Sequence, residues 1–278
     1  WIQVTRLDRP VGWIVLLWPT WIALTLASFK AGAFNLGIWV IFTLGVIITR
    51  SAGCVVNDLT DRKFDKHVKR TKTRPITTGN LPVKDAVILA VVLLLIAFGL
   101  VLQTNAETVY LSFIALGLAV LYPWLKRITF WPQIGLGLAF SMAIPMAFTA
   151  YRQPLDALVW ALFAGNVAWT LAYDTLYAMV DRDDDLRIGV KSTAIVFGRY
   201  DLVAIGFCQL IALTAFAYTF WLAQLNPFAI FGVIGAAGFA VQHQWIAKSR
   251  ARDVCFRAFI ENHRFGAALF VGAVLGSL

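Results

Sequence analysis

Charged side chains are scarce in this chain: only 14% of its 278 residues are Asp, Glu, Lys or Arg, against 60% hydrophobic. That balance, with a mean hydropathy of +0.74, excludes an ordinary soluble domain and leaves a polytopic helical membrane protein. Cysteine is rarer still. Cys54, Cys208 and Cys255 have no CxxC spacing and no histidine partner nearby, which argues against a thiolate metal centre and reads them as small helix-packing residues. His67, His243 and His263 share no ligand spacing, so zinc and haem are not expected either. The net charge of +9 would in a soluble protein suggest nucleic acid. Here the distribution of basic residues among the loops accounts for it, and no nucleic-acid partner is expected.

Abundant instead are apolar runs long enough, or nearly so, to span a bilayer, at 12–29, 36–56, 86–103, 107–125, 131–150, 156–179, 202–222, 227–247 and 264–278. They predict an all-α protein of nine transmembrane helices, a single membrane-embedded domain over 1–278. With the N-terminus inside, all of the 24 Lys and Arg except Lys30 and Arg152 fall toward the cytoplasmic side, as the positive-inside bias requires. Pro19, Pro123, Pro132 and Pro145 lie within or at the ends of these runs, where they can kink helices.

Against this apolar background two acidic clusters stand out, Asn57-Asp58-Leu59-Thr60-Asp61-Arg62-Lys63-Phe64-Asp65 and Asp181-Arg182-Asp183-Asp184-Asp185. They follow the second and the sixth run, so the helices group as two four-helix units plus a ninth that closes the bundle. On a continuing helix Asn57, Asp58, Asp61 and Asp65 fall within about one quadrant, with Arg50 two turns deeper on the same face. Asp174, Asp181 and Asp185 share a face in the second cluster, with Asp184 and Tyr177 on its flank and Asp183 pointing away. Mg²⁺ takes hard oxygen ligands and bridges carboxylates to substrate phosphates, which two facing acidic helices can offer. Ordinary solvated helix ends with Arg and Lys neighbours are the competing explanation, weaker for two clusters at equivalent places than for one.

The segment between the first cluster and the third run carries Lys66, Lys69, Arg70, Lys72 and Arg74. Arg binds phosphate in a bidentate fork and Lys as a point charge, so Arg70, Arg74 and, after the second cluster, Lys191 are candidate diphosphate ligands. Membrane topology and headgroup attraction explain any single lysine there equally well. Tyr122 and Lys126 form an i, i+4 pair able to reach the same cavity, although an interfacial aromatic with a snorkelling lysine would look the same. Arg50, deep in the second run, needs an anionic partner, either a substrate carboxylate or Asp58 or Asp61. A membrane transporter is the alternative of a different class, since intramembrane carboxylates also mark ion and substrate pathways. Against it, the acidic groups gather at one end of the spans.

Beyond these patterns, the chain resembles the UbiA family of intramembrane aromatic prenyltransferases over essentially its whole length. The resemblance rests on Leu7-Asp8-Arg9-Pro10-Val11-Gly12, Leu17-Trp18-Pro19-Thr20, the run from Gly53 into Asn57-Asp58, Arg74-Pro75, Tyr122-Pro123, Ile144-Pro145, Tyr173-Asp174, Tyr177 to Asp185, and Lys191-Ser192-Thr193-Ala194. The NDxxDxxxD pattern marks the family, and YAMVDRDDD followed by GxKST its hydroxybenzoate branch; Ile76-Thr77-Thr78-Gly79 varies the usual wording after Arg74-Pro75. The resemblance implies a ring of nine helices around a central cavity, a small cytoplasmic cap and a lateral opening for a lipid tail. It implies transfer of a polyprenyl group from polyprenyl diphosphate to 4-hydroxybenzoate in ubiquinone biosynthesis, in a bacterial inner membrane, with the site facing the cytoplasm. Another aromatic acceptor remains an alternative. The resemblance places metal and diphosphate binding on Asp58, Asp61, Asp65, Asp174, Asp181 and Asp185, with Mg²⁺ as cofactor, and puts Arg50 and Asn57 near the aromatic acid. Membrane lipid is the surrounding partner, and no obligatory protein partner is evident.

Overall fold

The computed structural model describes residues 1–278, and all its regular elements are helical. A short α1 (Ile2–Thr5) precedes α2 (Val11–Ala31) and α3 (Leu36–Asp61). A single-turn α4 (Pro75–Thr78) leads into α5 (Val83–Val101) and α6 (Ala106–Ile128). The fifth apolar run is divided into α7 (Pro132–Ser141) and α8 (Ala143–Ala150), followed by the longest helix, α9 (Ala157–Ile188). After α10 (Thr193–Phe197) come α11 (Asp201–Leu222), α12 (Ala229–Ile246) and α13 (Arg252–Ser277).

Local chemistry sets several of these boundaries. Asn35, Asn105 and Asp156 cap α3, α6 and α9 by accepting from the backbone N–H of Ile38, Thr108 and Leu158 at 3.2, 2.9 and 3.1 Å, satisfying donors that a helix start leaves free. Pro19 and Pro123 sit inside helices that continue past them. The one break inside an apolar run falls at Met142, just before Pro145, whose missing N–H cannot reach back to Ser141.

The long helices pack in a ring, in the order α2, α3, α5, α6, α7 with α8, α9, α11, α12 and α13, which returns to α2. Its core holds the stacked pair Trp169 and Phe265, with ring centroids 5.3 Å apart, and Trp169 donates to Asn262 at 3.3 Å. A Cβ on Gly266 would come within 2.5 Å of Trp169 and 2.7 Å of Trp18, so only glycine lets α13 approach α2 and α9 this closely.

Seven helical segments are long and apolar enough to cross a membrane: α2, α3, α5, α6, α7 with α8, α11 with its lead-in α10, and α12. The protein is therefore a multi-pass membrane protein. Two of the nine runs in the sequence, those forming α9 and α13, fall outside this set. The reason is their position. Each packs against several other helices, and α9 buries Asn166, Thr170 and Asp174, while α13 buries Asn262. A helix facing protein has no need of a uniformly apolar surface.

Candidate functional site

A cavity of about 1020 Å³ opens among α2, α3, α5 to α9 and α13 and reaches the chain between α3 and α4. The expected continuation of α3 through Asp65 does not occur. The helix ends at Asp61, the chain turns, and a short 3-10 turn at Asp65–His67 carries Asp65 back to the cavity. Thr71 donates to the Asp65 carbonyl at 3.2 Å and Arg74 to its carboxylate at 2.8 Å, so the basic segment folds over the acidic one.

The first aspartate motif is fully engaged by cations. Buried Asp58 receives Arg6 at 2.8 Å and Arg74 at 2.9 Å, so Arg74 bridges Asp58 and Asp65. Asp61 lies 3.6 Å from the Lys126 ammonium and 3.9 Å from Arg127. In the second motif Asp181 is held by Arg70, whose Nε donates at 3.1 Å. Arg70 also donates to the Tyr177 hydroxyl and lies over that ring, 4.4 Å from its centroid. Asp174 and Asp185 line the same cavity, and neither carboxylate has a protein hydrogen bond or ion pair. Asp183 and Asp184 face elsewhere and pair with Arg252 at 3.2 and 3.0 Å.

These surroundings shift the titration of groups beyond the apolar runs. Burial, reinforced by the charge of Asp181, pushes the Asp185 carboxyl up to about 7. Burial also raises Asp65, against the opposing pull of Arg74. Burial works against the charge of Arg70, but Tyr177 and Asp181 more than offset it and hold the guanidinium above its ordinary value.

Arg50 makes no ion pair with Asp58 or Asp61. Its Nε donates to the Gly12 carbonyl at 3.1 Å, one terminal nitrogen reaches the Cys54 sulfur at 3.3 Å, and the guanidinium lies 5.5 Å from the Phe140 centroid. It lines the cavity without an ion pair to any carboxylate. Asn57 and Tyr122 line the cavity too, and Lys126 sits 5.5 Å from the Tyr122 ring centroid. Lys191 is at the rim, where it donates to the Ile128 carbonyl at 3.1 Å.

All thirteen residues singled out in the sequence thus border one cavity. Three neighbours were not singled out as ligands: Arg6, Arg127 and Tyr177. Arg127 adjoins Lys126 and Tyr177 was noted beside the second motif, so both had a local signal. Arg6 is 52 residues from Asp58, and only the fold joins them.

The donor set suits Mg²⁺. Every carboxylate offers hard oxygen, no thiolate or imidazole intervenes, and Asp174 and Asp185 are free of protein cations. No three of these groups converge tightly enough to enclose an ion by themselves, because Arg6, Arg70, Arg74 and Lys126 hold the others.

Residues 16–270 match the model of the UbiA prenyltransferase family. The 4-hydroxybenzoate octaprenyltransferase of Tolumonas auensis is 51% identical over 98% of this chain and 95% of its own length. That of Chromohalobacter salexigens is 50% identical over 99% of this chain and 91% of its own length. Among solved structures, the apo form of a UbiA homolog from Aeropyrum pernix K1 superposes with a TM-score of 0.84 at 22% identity, covering 96% of this chain and 98% of that one. A UbiA homolog from Archaeoglobus fulgidus bound to GPP and Mg²⁺ gives 0.72 at 18% identity, covering 98% and 99%. With the helical ring, the cavity bordered by both aspartate motifs and relatives half identical along nearly its full length, the chain belongs to the UbiA prenyltransferase family.

Proposed function

We propose that the protein transfers a polyprenyl group from polyprenyl diphosphate to the ring carbon ortho to the hydroxyl of 4-hydroxybenzoate, releasing diphosphate, as a step of ubiquinone biosynthesis. The observation that carries this reading is the meeting of both aspartate motifs, the basic segment and an unpaired Arg50 on one cavity that continues between apolar helices. The full-length similarity to 4-hydroxybenzoate octaprenyltransferases supports the choice of acceptor and donor.

In this reading Asp58, Asp61, Asp65, Asp174, Asp181 and Asp185 hold Mg²⁺, which when bound supplies positive charge to the departing diphosphate. Arg70, Arg74, Lys126 and Lys191 add fixed positive charge where the allylic carbon-oxygen bond breaks, and they stabilise that developing charge more than the ground state. Arg50 holds the benzoate carboxylate in a charge-assisted bond, with Asn57 and Tyr122 beside the acceptor. The faces of Phe140, Tyr173, Tyr177 and Phe259, all on the cavity wall, exclude water and stabilise the allylic cation. The electron-rich ring carbon next to the phenol hydroxyl then attacks, and the ring loses a proton.

The same reading makes the chain a single domain of nine spanning helices, with α9 and α13 as interior spans, arranged as two four-helix units plus one. The segments bearing the motifs form a cap on the cytoplasmic side of a bacterial inner membrane. Membranes containing the protein, given 4-hydroxybenzoate, a polyprenyl diphosphate and Mg²⁺, should yield the 3-prenylated acid by mass spectrometry; no such product overturns the assignment. Single cysteines at Lys66 and Arg187 should be labelled only from the cytoplasm, and labelling from outside in intact cells would reverse the orientation.

A further inference from the structure

The helix that carries the second aspartate motif is gripped from outside the cavity by a cluster of ion pairs. Asp201, the first residue of α11, is fully buried, and two guanidinium groups from different parts of the chain converge on it. Arg182 of α9 donates to one carboxylate oxygen, and the Arg250 Nε donates to the other at 2.8 Å. Arg250 sits in the turn between α12 and α13 with φ +58°, a left-handed conformation that costs any residue with a Cβ. Its guanidinium also donates to the Arg199 carbonyl at 3.0 Å, so the strained turn is held by the contacts it makes. Arg182 has no hydrogen bond other than that to Asp201. Three segments far apart in sequence, the end of α9, the start of α11 and the entry to α13, thus meet on one carboxylate.

The place of Arg182 in the sequence ties this cluster to the cavity. At 100° per residue, Asp181 and Asp185 stand about 40° apart, with Arg182 about 60° beyond Asp185 and Asp184 about 60° to the other side of Asp181. Asp184, with Asp183 behind it, is held by Arg252 at 3.0 and 3.2 Å. The end of α9 is therefore gripped on both flanks, and between the grips only Asp181 and Asp185 line the cavity. The grips are unequal. Arg252 and Asp183 reach the surface, where an ion pair holds weakly, whereas Asp201 is removed from water and its pairs are little screened. Stability alone does not account for such a buried triad, because apolar groups of similar volume often replace one without loss. What the triad does fix is rotation. A turn of roughly 20° about the helix axis carries a carboxylate about 6 Å out through about 2 Å, while metal-ligand distances hold to about 0.2 Å.

Resting on the metal-diphosphate reading above, we propose that Asp201 is a positioning residue: through Arg182 it sets the rotation of the last turns of α9 and so aims Asp181 and Asp185 at the metal and the diphosphate. Asp201 itself touches neither substrate. Arg50 and Asn57 lie on α3, outside the clamp, so its loss disturbs the metal and the prenyl donor and spares the aromatic acid.

Asp201→Asn and Arg182→Met cut the clamp from its two sides, and Arg182→Lys keeps the charge without the fork. The first readout is binding of Mn²⁺, a hard cation that takes the same oxygen ligands as Mg²⁺, followed by EPR on the purified protein with a non-reacting prenyl thiolodiphosphate. Affinity should fall about tenfold in Asp201→Asn and in Arg182→Met, and by less in Arg182→Lys. The double variant should lose no more than either single one, because both substitutions cut the same contact. In turnover, KM for the prenyl diphosphate and the Mg²⁺ requirement should rise by a similar factor while KM for 4-hydroxybenzoate stays unchanged. Unaltered Mn²⁺ affinity in the variants, or KM rising for both substrates in step with a lower melting temperature, overturns the positioning role. Should Asp201→Asn fail to accumulate, Arg182→Lys decides by the same two measurements. Absence of Mn²⁺ binding to the unaltered protein removes the metal-diphosphate reading itself, and the clamp assignment with it.

Discussion

The two aspartate motifs are alike in their place at the ends of long helices and unlike in surroundings. Asp58, Asp61 and Asp65 are each bound by Arg or Lys, whereas among the cavity-facing carboxylates of the second motif only Asp181 is, leaving Asp174 and Asp185 outside any ion pair. The first motif is therefore electrically balanced by the chain itself, and a metal ion can enter it only as Arg6, Arg74 and Lys126 find other anions. On the proposed reading an incoming diphosphate provides them. In the second motif Asp174 and Asp185 lie outside any ion pair, and burial, reinforced by the charge of Asp181, lets Asp185 hold its proton up to about pH 7. The equivalent placing of the motifs thus conceals a division between a cation-clamped half and an open half.

The largest expected effect tests what the halves share. Chelation by EDTA should reduce turnover to background, and Asp61→Ala and Asp181→Ala should each lower kcat/KM by about 10²-fold or more while the protein still inserts; full activity in EDTA would break the metal-diphosphate reading of both halves.

A contrast between the halves comes next. Asp185→Asn should weaken apparent Mg²⁺ affinity about tenfold, and Asp65→Asn clearly less, because the latter carboxylate is already neutralised by Arg74. Equal losses in a metal titration would erase the distinction.

Arg50 belongs to neither half in the structure. Arg50→Ala should raise KM for 4-hydroxybenzoate roughly tenfold, the usual order for a charge-assisted bond, with little change for the prenyl donor. Arg50→Lys should recover charge without the fork. A parallel rise for both substrates would tie Arg50 to the metal site instead.

The smallest effect is a pH dependence. The folded Asp185 value lies above the ordinary carboxylate value near 4, so below about pH 7 the group is protonated and metal binding must expel that proton. Apparent Mg²⁺ affinity should fall by up to about tenfold per pH unit on going from pH 7 to 6, and the slope should flatten in Asp185→Asn. Stability without metal moves the opposite way: ionising Asp185 costs stability above pH 7, and the cost disappears as pH falls toward the unfolded value.

Much of this arrangement was legible in the sequence because it is local. Apolar runs report spans, and i, i+4 spacing reports which of Asp174, Asp181 and Asp185 share a face. Two kinds of feature were not. Hydropathy responds to lipid contact, so it marks α5 and α6 strongly and α9 and α13, which bury polar groups against other helices, only weakly. Periodicity assumes the helix continues, so it carried Asp65 around the wheel, whereas the chain breaks at Asp61 and the Arg74 and Thr71 contacts restore Asp65 to the cavity. Arg6 had no signal at all, because its partner is set by the docking of the N-terminal segment onto α3.

The cation clamps also bear on how the protein would survive without the proposed Mg²⁺. In a zinc finger, removing the ion removes the fold. Here Arg6 and Arg74 on Asp58, Arg74 on Asp65 and Arg70 on Asp181 hold the carboxylates of the cavity mouth by themselves, as an ion would. Stripping the metal should accordingly leave a dormant protein that wakes when Mg²⁺ is returned.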